Sequence, residues 1–236
     1  MIASFFLSLR EGLEAALLIG VLLGALNKLE RPEFRSSIWL GTGLALIGSI
    51  LVGIVLNLIG ASFEGQAEEI FEGVAMLSAA AILTWAILWM QSQARAVSKQ
   101  LESDVHNAVL KGSKSALLSL AFLAVIREGV ELAFFLTAAS IGANGAQVLV
   151  GAGLGLAVVV ILAVLLFKSL IRLNIGKFFQ VTSIILILFA AGLVAHGVHE
   201  FNEAGLIPSV VEHVWDINPI LDENSTVGEL LKALFG

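Results

Sequence analysis

Six apolar runs, each long enough to cross a bilayer as a single helix, constrain this chain more than any other feature. They fall at about 2–26, 36–60, 69–92, 115–141, 146–170 and 177–199, and a spanning helix needs about 20 mostly apolar residues. Proline occurs only at Pro32, Pro208 and Pro219, all outside the runs, so no ring breaks them from within. In hydrocarbon every backbone N–H and C=O must be paired inside its own segment, and a helix does that. The expectation is an all-α polytopic membrane protein of about six transmembrane helices, with the lipid bilayer as its surroundings. Composition agrees: 58% of the 236 residues are hydrophobic and 14% charged, with a mean hydropathy of +0.97. A soluble domain of this length needs far more polar surface. The first run is not read as a secretory signal, because it lacks a positive start, is too long, and is interrupted by three charges.

Several functions are excluded early. There is no cysteine, so disulfides, zinc–thiolate sites and cysteine-held clusters drop out, and any metal must be bound by oxygen or imidazole nitrogen. A net charge of −6 argues against a nucleic-acid partner. No glycine-rich phosphate loop or HExxH zinc motif is present.

The loops set the orientation. Lys28, Arg31 and Arg35 follow the first run; Arg95, Lys99, Lys111 and Lys114 follow the third; Lys168, Arg172 and Lys177 follow the fifth. The alternate segments are acidic (ASFEGQAEE), neutral (IGANGAQ) or, after the sixth run, rich in Glu and Asp. Positive residues mark the cytoplasmic side, so the N-terminus is expected outside a cytoplasmic (inner or plasma) membrane.

Two of the runs carry charges at their centres. REGLE (Arg10 to Glu14) lies in the first and REGVE (Arg127 to Glu131) in the fourth. An odd number of crossings separates the copies, so the two motif helices run in opposite directions. LGTGL (40–44) and VGAGL (150–154) open the second and fifth runs, a second match between halves. Two inverted three-helix repeats are the plan of many secondary transporters, whose sites lie at the midplane between repeats. The expected division is 1–92 as the first repeat, 93–114 as a cytoplasmic connector, 115–200 as the second repeat, and 201–236 as an extracytoplasmic acidic tail.

The motif spacing says what the charges can do. Glu11 and Glu14 share a helix face, as do Glu128 and Glu131, and each arginine stands four residues before the second glutamate of its motif. A charge at the bilayer centre costs about 2.5–3.5 kcal/mol on insertion scales. Six such charges are tolerable only facing inward and satisfying one another. Four carboxylates and two guanidiniums leave two negative charges, which a divalent cation balances. Carboxylates are hard ligands suited to iron, manganese, magnesium or calcium. Glu11 and Glu128, the glutamates not paired at four-residue spacing, are the ones expected on the ion, with Arg10 and Arg127 tuning the charge. Gly12 and Gly129 allow close approach of a partner helix, and Gly20 and Gly24 add a second small-residue face.

Two further sets lie toward the outer helix ends. His196, His199, Glu200 and Glu203 line one helical stripe, and Glu68 and Glu72 share a face near Glu64 and Glu69. They fit a capture site for an incoming cation, or simply polar helix ends facing water. Glu212, His213 and Asp216 in the tail are a weaker set, and His106 is read as incidental.

A doubled R-E-G-x-E in the first and fourth membrane helices resembles the oxidase-dependent high-affinity iron permease family, with its fungal iron permeases and bacterial EfeU-type ferrous iron permeases. FEGVAMLSAAAILTW (71–85) and HGVHEFNEAG (196–205) resemble the bacterial branch. The resemblance covers essentially the whole chain. It implies iron import, as Fe²⁺ or Fe³⁺, with no permanently bound cofactor and with Glu11, Glu14, Glu128 and Glu131 on the iron path. It also implies work beside a periplasmic haem peroxidase and a cupredoxin-like lipoprotein, or a multicopper oxidase. Family members usually carry a seventh helix after a segment like GELLKALFG, where this sequence stops at Gly236. The inverted repeat closes with six, so the core is expected to be intact.

The expected function is an iron permease working through a midplane carboxylate site, not an enzyme. The alternatives are a permease for another divalent metal, lead or manganese, and a non-transporting membrane subunit whose motifs are salt-bridge latches. An intramembrane metalloenzyme ranks lowest, because it needs an electron acceptor and the chain has no cysteine or tyrosine.

Overall fold

The computed structural model describes residues 1–60, 62–141, 144–168 and 174–207. Six long helices account for most of them: α1 (Ile2–Lys28), α2 (Arg35–Gly60), α3 (Gln66–Leu110), α4 (Lys114–Ile141), α5 (Gly145–Phe167) and α6 (Ile175–Glu203), with one turn of 3-10 helix at Pro32–Phe34. Among the described residues, four segments are long and apolar enough to cross a membrane: Pro32–Gly60, Gln66–Leu88, Gly145–Phe167 and Ile175–Glu203. The remaining two helices, α1 and α4, have 27 and 28 residues, about 40 Å each, and carry the charged motifs. Most of the acidic tail, with Glu212, His213 and Asp216, lies outside the described residues, as does Arg172.

Large apolar side chains point outward in number. Leu40, Ile47, Ile50 and Leu58 of α2, and Leu149, Val160 and Ile161 of α5, are more than half exposed. In water so much bare apolar surface is a liability; against lipid tails it is the natural outer face, and the protein is a membrane protein. The buried residues sort into two main clusters. One joins Ala3 and Leu7 of α1 to Phe135, Ala138 and Ala139 of α4, with Met76 to Ile87 of α3 and Leu186 to Leu193 of α6. The other joins Leu22, Ala25 and Leu26 of α1 to Leu117 and Ala121 of α4, with Phe34, Ile38, Val105, Ala108 and Val109. The start of α1 thus meets the end of α4 and the reverse, so the two motif helices are antiparallel. Their charged centres lie between the two apolar clusters.

The halves are interleaved. Within the bundle, α2 packs most closely on α4, α5 on α1, and α3 on α6. Glycines make these approaches. A Cβ on Gly41 would run into the Leu118 carbonyl oxygen, and one on Gly151 into the Met1 carbonyl oxygen and Ser4 Oγ. A Cβ on Gly129 would overlap Ser49 Oγ, while one on Gly12 would sit 3.0 Å from Val159 Cγ2. The offset that carries Arg10 to Arg127 also carries Met1 to Leu118 and Gly12 to Gly129. The offset that carries Gly41 to Gly151 also carries Ser49 to Val159. The contacts are therefore repeated with the two halves exchanged, as an inverted repeat requires. The glycine of each motif seats α5 or α2 rather than the other motif helix. Of the second pair on α1, Gly20 abuts Phe167, but Gly24 has open space around it.

One consequence is a stability prediction. Gly41→Val and Gly151→Val force a side chain into a backbone carbonyl and are expected to cost at least about 1–3 kcal/mol each. Gly24→Ala meets no neighbour and improves helix propensity, so it should be neutral or stabilising by up to about 1 kcal/mol. Thermal unfolding of the purified protein in detergent checks both; a harmless valine at Gly41 would refute the close-packed seam.

The third helix differs from the expected 69–92 run. It continues as helix to Leu110, 45 residues or about 68 Å. The segment expected as a connector is thus largely helical. Its charged residues end the apolar run, but Leu101, Val105, Ala108 and Val109 recur at helical spacing and pack on α1 and α4. Lys28 Nζ reaches Glu102 Oε1 at 3.4 Å on the outside of this contact. The helix ends where Gly112 takes a positive φ of 62°. Ser113 N then donates to the Ala108 carbonyl at 3.0 Å, and Gly112 N to that of Val109 at 2.9 Å.

Candidate metal-ion site

Each motif builds the same local constellation. On α1, Arg10 Nε donates to Glu14 Oε1 at 3.1 Å, and Nη1 lies 3.8 Å from Glu11 Oε1. On α4, Arg127 Nε donates to Glu131 Oε1 at 2.9 Å and lies 3.9 Å from Glu128 Oε1. The four-residue spacing alone sets both pairs. Their surroundings differ: the Arg10 side chain is 1% exposed and that of Arg127 44%.

The antiparallel crossing then brings the two motifs face to face. Carboxylate oxygens of Glu11, Glu128 and Glu131 all lie within 4.8 Å of one another. Glu11 and Glu128 are buried and Glu131 nearly so. Glu14, held by Arg10, is not one of the three. Like charges gathered this closely away from water repel strongly unless a cation or proton stands among them. Two oxygens on opposite sides of a small divalent ion stand about 4.2 Å apart, so a shift of a few tenths of an ångström lets the trio close on one. Two buried polar atoms here have no hydrogen-bond partner, Arg10 Nη1 and Glu11 Oε1. Carboxylate oxygen is a donor for a hard or borderline cation, not for a soft one.

The outer candidates are arranged differently. Glu72 on α3 is within repelling range of Glu200 on α6 and of Glu68. The two helices meet there at Gly73 and Gly197, where a Cβ on either would stand about 3 Å from the other's carbonyl oxygen. Gln66 Nε2 donates to the Ala204 carbonyl at 2.8 Å and pins the same end. His196 Nδ1 is 3.2 Å from the Gly192 carbonyl, and His199 Nε2 is 3.2 Å from Glu203 Oε1. Glu68, His199 and Glu203 are exposed; Glu72, His196 and Glu200 are half-buried. Among the described residues this set does not gather three ligand atoms as tightly as the motif carboxylates do.

Reading by residue type missed two buried hydroxyls, Ser8 and Thr42, whose Oγ atoms have no partner. A serine in an apolar run reads as a small packing residue, and nothing in the spacing singles these out.

The family model of the iron permease FTR1 family matches residues 1–236, the full chain. The chain belongs to that family. Proteins named ferrous iron permease EfeU from Escherichia coli strain UTI89 and from Shigella sonnei are 39% identical over 238 aligned positions, covering all of this chain and 86% of theirs. The protein of the same name from Yersinia pestis is 33% identical, covering all of this chain and 84% of its own. No solved structure matches. The iron permease family consists of transporters rather than enzymes, and iron is the substrate its name specifies, not a resident cofactor.

Proposed function

We propose that this iron permease imports iron across the cytoplasmic membrane, N-terminus outside, through a midplane site made by its two REGxE motifs. One observation carries the reading. Where α1 crosses α4, the neighbours across the interface are like charges, Glu11 against Glu128 and Glu131. A latch between halves would bring opposite charges together there. Among the described residues, the ion pairs of 4 Å or less made by the two arginines go to glutamates of their own helices. An arrangement that gathers carboxylates and sets the arginines to the side takes up a cation or protons, and in this reading the cation it takes up is the cargo.

In this reading, residues 1–92 and 115–200 are the two repeats, and the symmetric packing of α1 on α5 and α4 on α2 supports them. Lys28, Arg31, Arg35, Lys111 and Lys114 lie at the end where α1 finishes and α4 begins, which supports that end as cytoplasmic. Glu68, Glu72, His196, His199, Glu200 and Glu203, at the opposite end, gather cations ahead of the site. The relatives named as ferrous iron permeases support iron as the ion over lead or manganese. The family resemblance adds a periplasmic redox partner that sets the oxidation state presented to Glu72 and Glu200.

The test is radio-iron uptake into proteoliposomes holding the purified chain, with Fe²⁺ under anaerobic conditions and with Fe³⁺, against protein-free vesicles. Uptake of one oxidation state, competed weakly by Mn²⁺ and Pb²⁺, is expected. Uptake no faster than in bare vesicles for either state would remove the reading.

A further inference from the structure

Hydroxyls inside these helices commonly satisfy themselves on their own backbone. Ser49 donates to the Ala45 carbonyl at 2.8 Å, Thr84 to that of Ala80 at 2.7 Å, Thr137 to that of Ala133 at 2.9 Å and Thr182 to that of Phe178 at 3.1 Å. Ser8 and Thr42 do not. Their residues are 0% and 5% exposed, and their Oγ atoms have no partner. Leaving a buried hydroxyl unpaired costs about 1–3 kcal/mol. The usual remedy, the carbonyl one turn back, is left unused in both places.

Their positions relate to the carboxylates. Ser8 is three residues before Glu11, on the same side of α1, and its Cβ would be 3.0 Å from a Cβ on Gly155 of α5. Thr42 is two turns before Ser49 on one stripe of α2, and Ser49 fills the space beside Gly129 of the second motif. The parallel course of α2 and α4 puts Thr42 level with the beginning of α4. Ser8 is near the beginning of α1, level with the end of α4. The two hydroxyls therefore lie on opposite sides of the carboxylate layer.

The repeat makes this more than coincidence of small residues. The counterpart of Ser8 on α4 is Val125, and the counterpart of Thr42 on α5 is Ala152, both apolar. Yet the α1–α5 and α2–α4 seams are themselves counterparts, and each has one unpaired hydroxyl, supplied by α1 in one and by α2 in the other. Inheritance of a duplicated sequence does not produce that arrangement, because the residues involved are not equivalent.

We propose that Ser8 and Thr42 are oxygen ligands of the travelling cation, one on each side of the carboxylate trio: Ser8 toward the start of α1, Thr42 toward the start of α2. The proposal rests on the trio being the transport site. A divalent ion entering a dry seam gives up its water in stages and needs a neutral hard donor at each stage. A hydroxyl holds it weakly enough to let it go, where another carboxylate would trap it; passage requires such weak, multiple sites.

The chain has no cysteine, so Ser8→Cys and Thr42→Cys each introduce a single thiol. Each is treated with a small cationic methanethiosulfonate reagent, with and without Mn²⁺ at ten times its Kd. Both thiols are expected to react, and Mn²⁺ to slow the reaction about tenfold. In parallel, Ser8→Ala and Thr42→Val should lower Fe²⁺ uptake about tenfold while the calorimetric affinity of the trio for Mn²⁺ stays within about twofold of the parent. Thiols that are inert, or that react equally fast with and without Mn²⁺, overturn the proposal, as does normal uptake by the alanine and valine variants. If those variants transport normally while Glu11→Gln does not, the hydroxyls are packing groups and the carboxylate reading stands. If Glu11→Gln transports normally, the carboxylate reading is what fails.

Discussion

Glu11→Gln and Glu128→Gln are each expected to bring iron uptake down to that of protein-free vesicles, a loss of about 100-fold or more. Glutamine keeps the size of the side chain and removes the charge and one anionic oxygen. The trio gathers three carboxylates, so each change leaves a hard cation with two. Disturbing even the groups that support a metal ligand commonly costs about 10–100-fold in affinity or activity, and losing the ligand itself costs no less. Glu14→Gln is the internal control. Its carboxylate is held by Arg10 and stands outside the trio, so uptake is expected to fall by about tenfold or less. Glu14→Gln takes the closest counter-ion from buried Arg10 and should lose stability, but the fold should survive in the two trio variants, since each removes a buried like charge. Thermal unfolding in detergent at or above the parent value checks that. A Glu14 variant as defective as the other two would mean that all four motif carboxylates bind.

The second large effect is on stability. Arg10→Met should cost about 3–5 kcal/mol, because it leaves Glu11 and Glu14 buried without their counter-ion. Arg127→Met removes the counter-ion of Glu128 and Glu131 at the same depth in the bilayer and is expected to cost a similar amount. Denaturation of the two purified variants side by side measures both; a loss below about 1 kcal/mol in either would show that its arginine does not balance the carboxylates.

How much of this could be read from the sequence depends on which physical rule each residue obeyed. The six helices were legible because spanning segments need long apolar runs, and the boundaries of α1, α2 and α4 fall within two residues of those runs. The intrahelical pairs Arg10–Glu14 and Arg127–Glu131 followed from spacing alone. The extension of α3 to Leu110 was not legible by that rule, because an apolar-run criterion stops at Arg95 and Lys99 while an amphipathic helix does not. Nor did spacing reveal that Gly12 and Gly129 seat α5 and α2 instead of each other, since helical neighbours in space are fixed by the whole bundle. The departure of Glu14 from the trio, with Glu131 remaining, depends on rotamers and the crossing of α1 on α4, which no periodicity encodes. Ser8 and Thr42 are silent in sequence because a hydroxyl that bonds its own backbone and one that does not are written with the same letter.

The interleaving of the halves bears on how the protein is made. The two helices that pack most closely on α1, α4 and α5, are synthesised more than a hundred residues after Arg10. At about 5–20 residues per second, α1 waits on the order of ten seconds in the lipid before those partners emerge from the ribosome. During that interval Arg10 and Glu14, paired on their own helix, are what makes the segment tolerable to the membrane. The four-residue spacing that later sets the arginine beside the site is therefore also what lets the nascent chain hold its first helix in place until the rest arrives.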